Sequence, residues 1–467
     1  MTGVGLDTVI RGGEVWVDGA LAALDVGISG EVVAAISPNL NAAGADVIDA
    51  NGLLVLPGGI DVHTHFHTEV GGSPTADLYE SGTRAAAFGG ITTILNYAFQ
   101  EAGDDLTSVV AREQAKAGGQ SYIDYGFHII VTDISVPDLD DQLLQLPELG
   151  CPSIKVFTAM GFRLQDAELL RLLDLLRGTG ILVNVHAEDG DLVDYLSDRL
   201  VAQGQTSVDR LGESRPPRTE ALAVEKMVSY AGATGTPLYV VHLSSEAALN
   251  SVRRARLDGI EVYVETRPAY LYLDDALYSL PGSEGNKFAC WPPLRTHSDQ
   301  EALWAALESG EVQCYATDHT TWTLAQKMQP GLPFPQIPGG ISNVQTSLGM
   351  LWSEGVQTGR LSVRRFVEVA SETPAKLFGL WPRKGTLAVG SDADIMLLDP
   401  QRQYRVVASA MQSASDFDPY DGYESHGWPV CTMSRGQVVM RDERLAGDTG
   451  HGRFLHRDRF RSRIVRQ

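Results

Sequence analysis

The chain has 467 residues, of which 43% are hydrophobic and 21% charged, and this composition is typical of a globular enzyme. A chain of this length is expected to form one large domain and a smaller one, because single hydrophobic cores stop growing at roughly 250 to 300 residues. The formal net charge of -22 argues against a surface that binds nucleic acid phosphates.

The cysteines and the apolar segments indicate a cytoplasmic location. The four cysteines lie far apart without a C-x-x-C pair, which predicts reduced thiols: Cys151, Cys290, Cys314 and Cys431. No basic segment followed by an apolar stretch begins the sequence, and no run of 18 apolar residues occurs. We therefore expect a protein with neither a membrane nor a nucleic acid partner.

Short strands separated by turns are predicted at both ends of the chain. The first group comprises Thr8 to Arg11, Glu14 to Val17, Val26 to Ser29, Val32 to Ile36 and Val47 to Asp49. The late group comprises Asp394 to Leu398, Tyr404 to Val407, Cys431 to Ser434 and Gln437 to Arg441. We expect the two groups to build one sheet domain from residues 1–52 and 384–449, followed by a tail at 450–467 that contacts another subunit.

Between these ends, apolar runs alternate with segments of helical periodicity, as in parallel strands joined by crossover helices. The predicted strands are Leu53 to His65, Ile91 to Tyr97, Tyr125 to Val131, Ser153 to Phe157, Ile181 to His186, Leu238 to His242, Glu261 to Glu265 and Val312 to Asp318. The predicted helices are Ala76 to Phe88, Leu106 to Lys116, Asp166 to Leu176, Glu220 to Ala231, Glu246 to Arg256 and Ser298 to Leu307. This α/β pattern predicts a (β/α)8 barrel of the TIM type over residues 53–383, with an open doubly wound sheet as the alternative.

Chemically active side chains stand at the ends of these predicted strands, where barrel enzymes hold their active sites. They are His63, His65, Lys155, His186, His242 and Asp318. Alternate residues of a strand project to one side, so the first two histidines can hold one metal together. Imidazole and carboxylate ligands suit zinc, and also manganese or cobalt.

Two of these residues have more than one interpretation. A lysine in the apolar run Ser153 to Phe157 either pairs with a barrel carboxylate or, with a lowered pKa, adds carbon dioxide to form a carbamate. Asp318 can be a metal ligand, a general base or the N-cap of the next helix.

Several ordered motifs resemble the amidohydrolase superfamily, in particular its dihydropyrimidinase and hydantoinase branch. The motifs extend over nearly the whole chain and include Gly58-Gly-Ile-Asp-Val-His-Thr-His65, Ile154-Lys-Val-Phe157, Val185-His-Ala-Glu188, Val241-His-Leu-Ser-Ser245, Pro292-Pro-Leu-Arg295, Thr317-Asp-His319 and Gly390-Ser-Asp-Ala-Asp394. The resemblance implies a barrel flanked by a β-sandwich that both chain ends form.

The resemblance also implies the roles of the six residues. His63, His65 and Asp318 would hold one zinc ion, His186 and His242 the other, and carboxylated Lys155 would bridge the two. A hydroxide between the metals would attack a carbonyl of a cyclic amide or ureide while Asp318 shuttles the proton.

The chain departs from this branch at three positions where relatives contact substrate. Met160 replaces a tyrosine that donates a hydrogen bond to the developing oxyanion, and a thioether cannot donate one. Trp291 replaces a serine, and the Gly339 turn in Pro338-Gly-Gly-Ile-Ser342 replaces an asparagine-containing one. These changes leave an allantoinase-like activity, or one on an imide or bulky aryl-substituted ring, as alternatives.

Two further alternatives lie outside ring opening. A non-catalytic assembly scaffold is disfavoured because scaffold relatives of this branch lack the metal ligands, and a single-metal deaminase because it has no bridging lysine. The resemblance implies a homotetramer, with a homodimer as the alternative.

Overall fold

The computed structural model describes residues 5–70 and 72–461 of the chain. An eight-stranded parallel sheet lies at its centre, with strands in spatial order as in the sequence: Gly59–Thr64, Ile91–Phe99, Asp124–Ile130, Ser153–Phe157, Leu182–His186, Leu238–Val240, Val262–Thr266 and Cys314–Tyr315. A parallel bridge between Thr64 and His319 brings the last strand back to the first. The sheet is a nearly closed TIM-type barrel, as the sequence predicts, and the open-sheet alternative is wrong.

Helices follow the barrel strands and cover their outer faces. Those of seven or more residues are Tyr79–Phe88, Leu106–Ala117, Leu139–Gln145, Asp166–Leu176, Gly190–Ala202, Pro217–Thr234, Glu246–Leu257 and His297–Ser309. Shorter ones are Leu211–Ser214, Pro268–Tyr272, Leu324–Lys327, Ser347–Leu351, Val363–Val367 and Thr373–Leu377. In the described part of the chain, no helix is both long enough and apolar enough to cross a bilayer.

Local sequence explains two of these helices. Asp105 accepts hydrogen bonds from the backbone of Thr107 and Ser108, so it caps the helix that begins at Leu106. The helix Asp166–Leu176 buries a stripe of leucines at helical spacing against the barrel: Leu169, Leu172, Leu173 and Leu176.

Both chain ends contribute to two further sheets that face each other. One sheet has the order Val32–Ser37, Asp25–Ser29, Thr8–Arg11 and Asp46–Asp49. The other has the order Arg444–Leu445, Gln437–Arg441, Glu424–Ser434, Ile395–Arg405, Leu54–Pro57, Glu14–Val17 and Ala20–Ala23. One apolar core joins the two sheets and includes Ile10, Val15, Val26, Val55, Leu397 and Met433. The two sheets therefore form a β-sandwich beside the barrel.

The predicted strand Leu53 to His65 is two strands. Leu54–Pro57 pairs with the terminal strands Ile395–Arg405 and Glu14–Val17, whereas Gly59–Thr64 opens the barrel. Gly58 joins them at a close approach, because a Cβ atom there would lie 2.3 Å from the side chain of Thr92. This pairing favours a domain boundary after Pro57 rather than at residue 53.

The C-terminal tail packs on the barrel of its own chain as far as Phe460, whose N–H donates to the Gly180 carbonyl at 2.8 Å. The Tyr125 N–H donates to the Arg453 carbonyl at 3.0 Å, and the buried Arg457 donates to Ser153 Oγ at 2.9 Å. The tail's contact with another subunit stays a prediction, and residues 462–467 lie outside the described part.

Candidate metal centre

The six predicted ligands line one cavity of about 870 Å³ at the carboxyl ends of the barrel strands. His63, Lys155 and His186 lie within strands or at their ends, whereas His65, His242 and Asp318 lie just beyond them. All except the partly buried His65 are buried. His242 and Asp318 have φ angles of 38° and 49°, so the backbone turns sharply where each side chain enters the cavity.

His63, His65 and Asp318 form one compact donor group. Asp318 Oδ1 lies 3.1 Å from His63 Nε2 and 3.3 Å from His65 Nε2, and the two imidazole nitrogens are 3.3 Å apart. Burial opposes ionisation of Asp318, but His63 and Arg267 outweigh it and hold its pKa well below the usual value. Two nitrogens and one carboxylate oxygen converge here as metal ligands do.

His186 and His242 form the second donor group. His186 Nδ1 and His242 Nε2 are 3.0 Å apart. Burial lowers the pKa of both imidazoles, which leaves them neutral near pH 7, the form that binds a metal. The buried Nδ1 atoms of His242 and His65 have no hydrogen-bond partner among the described residues, so part of each ring's hydrogen-bonding capacity is unmet.

Buried carboxylates contact one ring nitrogen of two of the imidazoles and orient those rings. His63 Nδ1 contacts Glu265, which also accepts hydrogen bonds from Tyr239 Oη and the His242 backbone N–H, both at 2.9 Å. His186 Nε2 lies 2.9 Å from Glu188 Oε2, and Glu188 pairs with Arg215. Such carboxylate partners fix the tautomer and direction of a ligating imidazole.

Lys155 is buried and has no carboxylate partner in the described part of the chain. Its Nζ lies 4.7 Å from the ring centre of Tyr97 and 5.0 Å from that of Phe157. Burial lowers its pKa to about 7, although Glu265 and Asp318 act in the opposite direction. The interpretation of Lys155 as one half of an ion pair is therefore wrong, and a substantial fraction of its amine is uncharged near neutral pH.

A second acidic cluster lies at the junction of barrel and sandwich. Asp124, Asp392 and Asp394 place their oxygens close together, but Lys384 Nζ lies among them at 2.8, 2.9 and 2.6 Å. The ammonium ion already supplies the positive charge that a cation would bring. We interpret this cluster as structural.

The three positions that depart from the resembling branch all line the same cavity. Met160 is joined there by Phe99, Phe157 and Phe162, which form an apolar wall of edge-to-face rings. Trp291 and Gly339 are in contact, since a Cβ atom at Gly339 would lie 2.2 Å from Trp291 Nε1.

Residue-by-residue reasoning on the sequence missed the groups that support the ligands. Glu265 ends a predicted strand, and Glu188 lies in the Val185-His-Ala-Glu188 motif. The sequence positions of both residues therefore indicated that they lie near the ligands. Arg267 pairs with Asp318 across 51 residues of sequence, and nothing in the local pattern of Arg267 indicates this contact.

Comparison with known proteins agrees with this geometry. The model of the amidohydrolase family matches residues 54–439. The chain is 40% identical to a D-hydantoinase from Rhizobium radiobacter, over 98% of this chain and 100% of that one. It is 39% identical to a D-hydantoinase from Geobacillus stearothermophilus, over 92% of each chain.

Solved structures show the same likeness over the whole fold. The crystal structure of a dihydropyrimidinase from Brevibacillus agri superposes with a TM-score of 0.95 at 39% identity, covering 97% of this chain and 99% of that one. An L-hydantoinase from Arthrobacter aurescens superposes with a TM-score of 0.87 at 28% identity, covering 96% and 99%. The chain therefore belongs to the amidohydrolase family, in its hydantoinase and dihydropyrimidinase branch.

Proposed function

We propose that the protein hydrolyses a ring C–N bond of a cyclic amide or ureide at a binuclear metal centre. The observation that carries the proposal is the convergence of six side chains on one cavity at the carboxyl ends of the barrel strands. The full-length likeness to proteins named D-hydantoinase supports the same reaction class. A non-catalytic scaffold would have no need for this buried set of ligands.

The donor groups fit two divalent cations, for which we propose zinc, with manganese or cobalt as alternatives. His63, His65 and Asp318 would hold one ion, and His186 and His242 the other. Lys155 would bridge them as a carbamate, because its uncharged amine can add to carbon dioxide and release one proton. When bound, the two ions supply an activated water and Lewis acidity at the substrate carbonyl.

Asp318 is the residue that we propose to move the proton. Its Oδ1 faces the two imidazoles, and Arg267 holds its other oxygen, so the carboxylate has a fixed orientation. A carboxylate in this place can accept the proton of the attacking water and then deliver it to the ring nitrogen that leaves. Opening a hydantoin or dihydropyrimidine ring in this way gives an N-carbamoyl amino acid.

The cavity wall supports a substituted ring as the substrate. Met160 and the three phenylalanines present apolar surface, and Trp291 adds an aromatic face. Such a wall would bury an aryl or alkyl substituent and gain about 25 cal/mol for each Å² of apolar area. We therefore favour an aryl-substituted ring over unsubstituted dihydrouracil or the polar ring of allantoin.

We further propose a cytoplasmic homotetramer, with a homodimer as the alternative. All four cysteines are free and buried, as expected in a reducing compartment. Size-exclusion chromatography with light scattering measures the assembly directly.

The test is ring opening by protein that has been stripped with a chelator and reloaded with zinc, manganese or cobalt. Dihydrouracil, hydantoin, phenylhydantoin, allantoin and succinimide are compared under identical conditions. We expect metal to restore turnover, with phenylhydantoin opened faster than hydantoin. If no ring opens after metal and bicarbonate are supplied, the proposed reaction is wrong and the scaffold alternative replaces it.

A further inference from the structure

Trp291 lines the cavity that contains the six ligands, and its indole ring carries one N–H group. Indole nitrogen is a donor and never an acceptor. The Trp291 N–H has no hydrogen-bond partner among the described residues, although the side chain is partly buried. The indole nitrogen is not among the buried unpaired polar atoms of the described residues, so it is accessible to solvent and can donate to a ligand.

The indole ring is held in place by contacts that lead back to the metal centre. The guanidinium carbon of Arg215 lies 4.5 Å from the centre of the ring, in a cation–π arrangement. Arg215 is paired with buried Glu188, whose Oε2 lies 2.9 Å from His186 Nε2. The ring therefore has a fixed relation to one of the proposed metal ligands, which makes its donor preorganised.

Gly339 makes room for this position of the indole. A Cβ atom at residue 339 would lie 2.2 Å from Trp291 Nε1 and 2.6 Å from two carbons of the ring. Any side chain at this position would displace the end of the ring that carries the N–H. The position of the Trp291 ring therefore depends on glycine at residue 339.

The apolar wall of the cavity supplies no such donor. Met160 and the phenylalanine wall have no N–H or O–H group. The hydroxyl of Thr320 also lines the cavity, but it donates to the Asp318 carbonyl at 3.2 Å.

We propose that the Trp291 indole N–H donates a hydrogen bond to a carbonyl oxygen of the substrate ring and that Gly339 is required for this contact. The inference rests on the proposed ring-opening function and adds the residue that recognises the ring. Cyclic amides and ureides carry carbonyl oxygens, which are the acceptors that a donor-only group selects.

The test compares Trp291→Phe with the wild-type enzyme, because phenylalanine retains an aromatic face for Arg215 and lacks the N–H. The matched control is Trp304→Phe, since Arg360 stacks on Trp304 in the same way at 5.4 Å, outside the cavity. Turnover of phenylhydantoin is measured together with metal content and thermal midpoint. We expect Trp291→Phe to lower kcat/KM about tenfold or more with both other readouts unchanged, as for loss of one hydrogen bond to reacting substrate. Trp304→Phe is expected to keep wild-type kcat/KM.

Gly339→Ala tests the pair. It should lower kcat/KM in the wild-type background and have little further effect in Trp291→Phe, because the donor is then already gone. A Trp291→Phe enzyme within twofold of wild type would overturn the proposal.

Calorimetric binding of a ring that is not hydrolysed separates this failure from failure of the proposed function. If the wild-type protein opens none of the hydrolysable rings but binds this one, the proposed reaction is wrong, and a tenfold weaker Kd in Trp291→Phe still supports the donor role. An unchanged Kd, or no binding of any ring, overturns the donor role as well.

Discussion

Replacing Lys384 by methionine should destabilise the protein strongly, because this buried ammonium ion holds three carboxylates together. Its Nζ lies 2.8 Å from Asp124, 2.9 Å from Asp392 and 2.6 Å from Asp394. Asp124 belongs to a barrel strand and Asp394 directly precedes a sandwich strand, so the cluster joins the two parts of the fold. Breaking a buried ion pair from one side costs about 3 to 5 kcal/mol.

The assay is thermal unfolding followed by circular dichroism. At an unfolding entropy of about 2.1 cal/mol/K per residue, a chain of this length shifts by about 1 °C for each kcal/mol, so the thermal midpoint should fall by about 3 to 5 °C. Lys287→Met is the matched control, since Lys287 pairs with Glu284 at the surface, where an ion pair is worth about 0 to 1 kcal/mol. Its midpoint should stay within about 1 °C of the wild type.

The pH dependence of this loss has a defined sign. Burial acts to raise the pKa of Asp124, but Lys384 and Arg435 outweigh it and lower the pKa below 3.8. The stabilisation that Asp124 contributes is therefore present above its ordinary pKa and is lost as the pH falls through the lowered value. In Lys384→Met the three carboxyl groups lose their cationic partner and take up protons more readily. The difference in thermal midpoint between variant and wild type should therefore shrink as the pH falls below about 5. Equal midpoints of variant and wild type at pH 7 would refute the structural interpretation of the cluster.

Three further substitutions give separate tests. Asp318→Asn should lower kcat by about 10² to 10⁴-fold in steady-state kinetics, because an amide cannot accept the proton, and a kcat near the wild-type value would remove Asp318 from the proposed mechanism. His186→Ala should reduce bound metal from two equivalents towards one in atomic emission analysis, and two retained equivalents would argue against its role as a ligand. Gly58→Ala should lower the thermal midpoint, because the new Cβ would lie 2.3 Å from the side chain of Thr92. Overpacking of this kind costs about 1 to 3 kcal/mol. An unchanged midpoint would show that the backbone between the two strands moves to accommodate the methyl group.

The sequence predicted the barrel well because alternating strands and helices leave a local signal. The helix Asp166–Leu176 is found at its predicted bounds, since its leucine spacing is set by residues near one another in the chain. Histidines at strand ends could be recognised for the same reason, because barrel topology brings all strand ends to one face.

Other features depend on contacts between distant segments. The division of Leu53 to His65 into two strands follows from the pairing of Leu54–Pro57 with Ile395–Arg405, which no local pattern records. The ion pair between Arg267 and Asp318 and the fit of Trp291 over Gly339 are likewise products of the folded chain. The resemblance identified Met160, Trp291 and Gly339 as departures, and their common position on one cavity became visible only in three dimensions.

The most direct test of the binuclear centre is the metal content of protein purified without chelator, measured for the wild type and for Lys155→Ala. We expect about two divalent ions per wild-type chain, and fewer in Lys155→Ala together with loss of ring opening. Two equivalents retained in an active Lys155→Ala enzyme would contradict the bridging role of Lys155. A wild-type chain that binds no metal even after zinc and bicarbonate are supplied would contradict the metal centre itself.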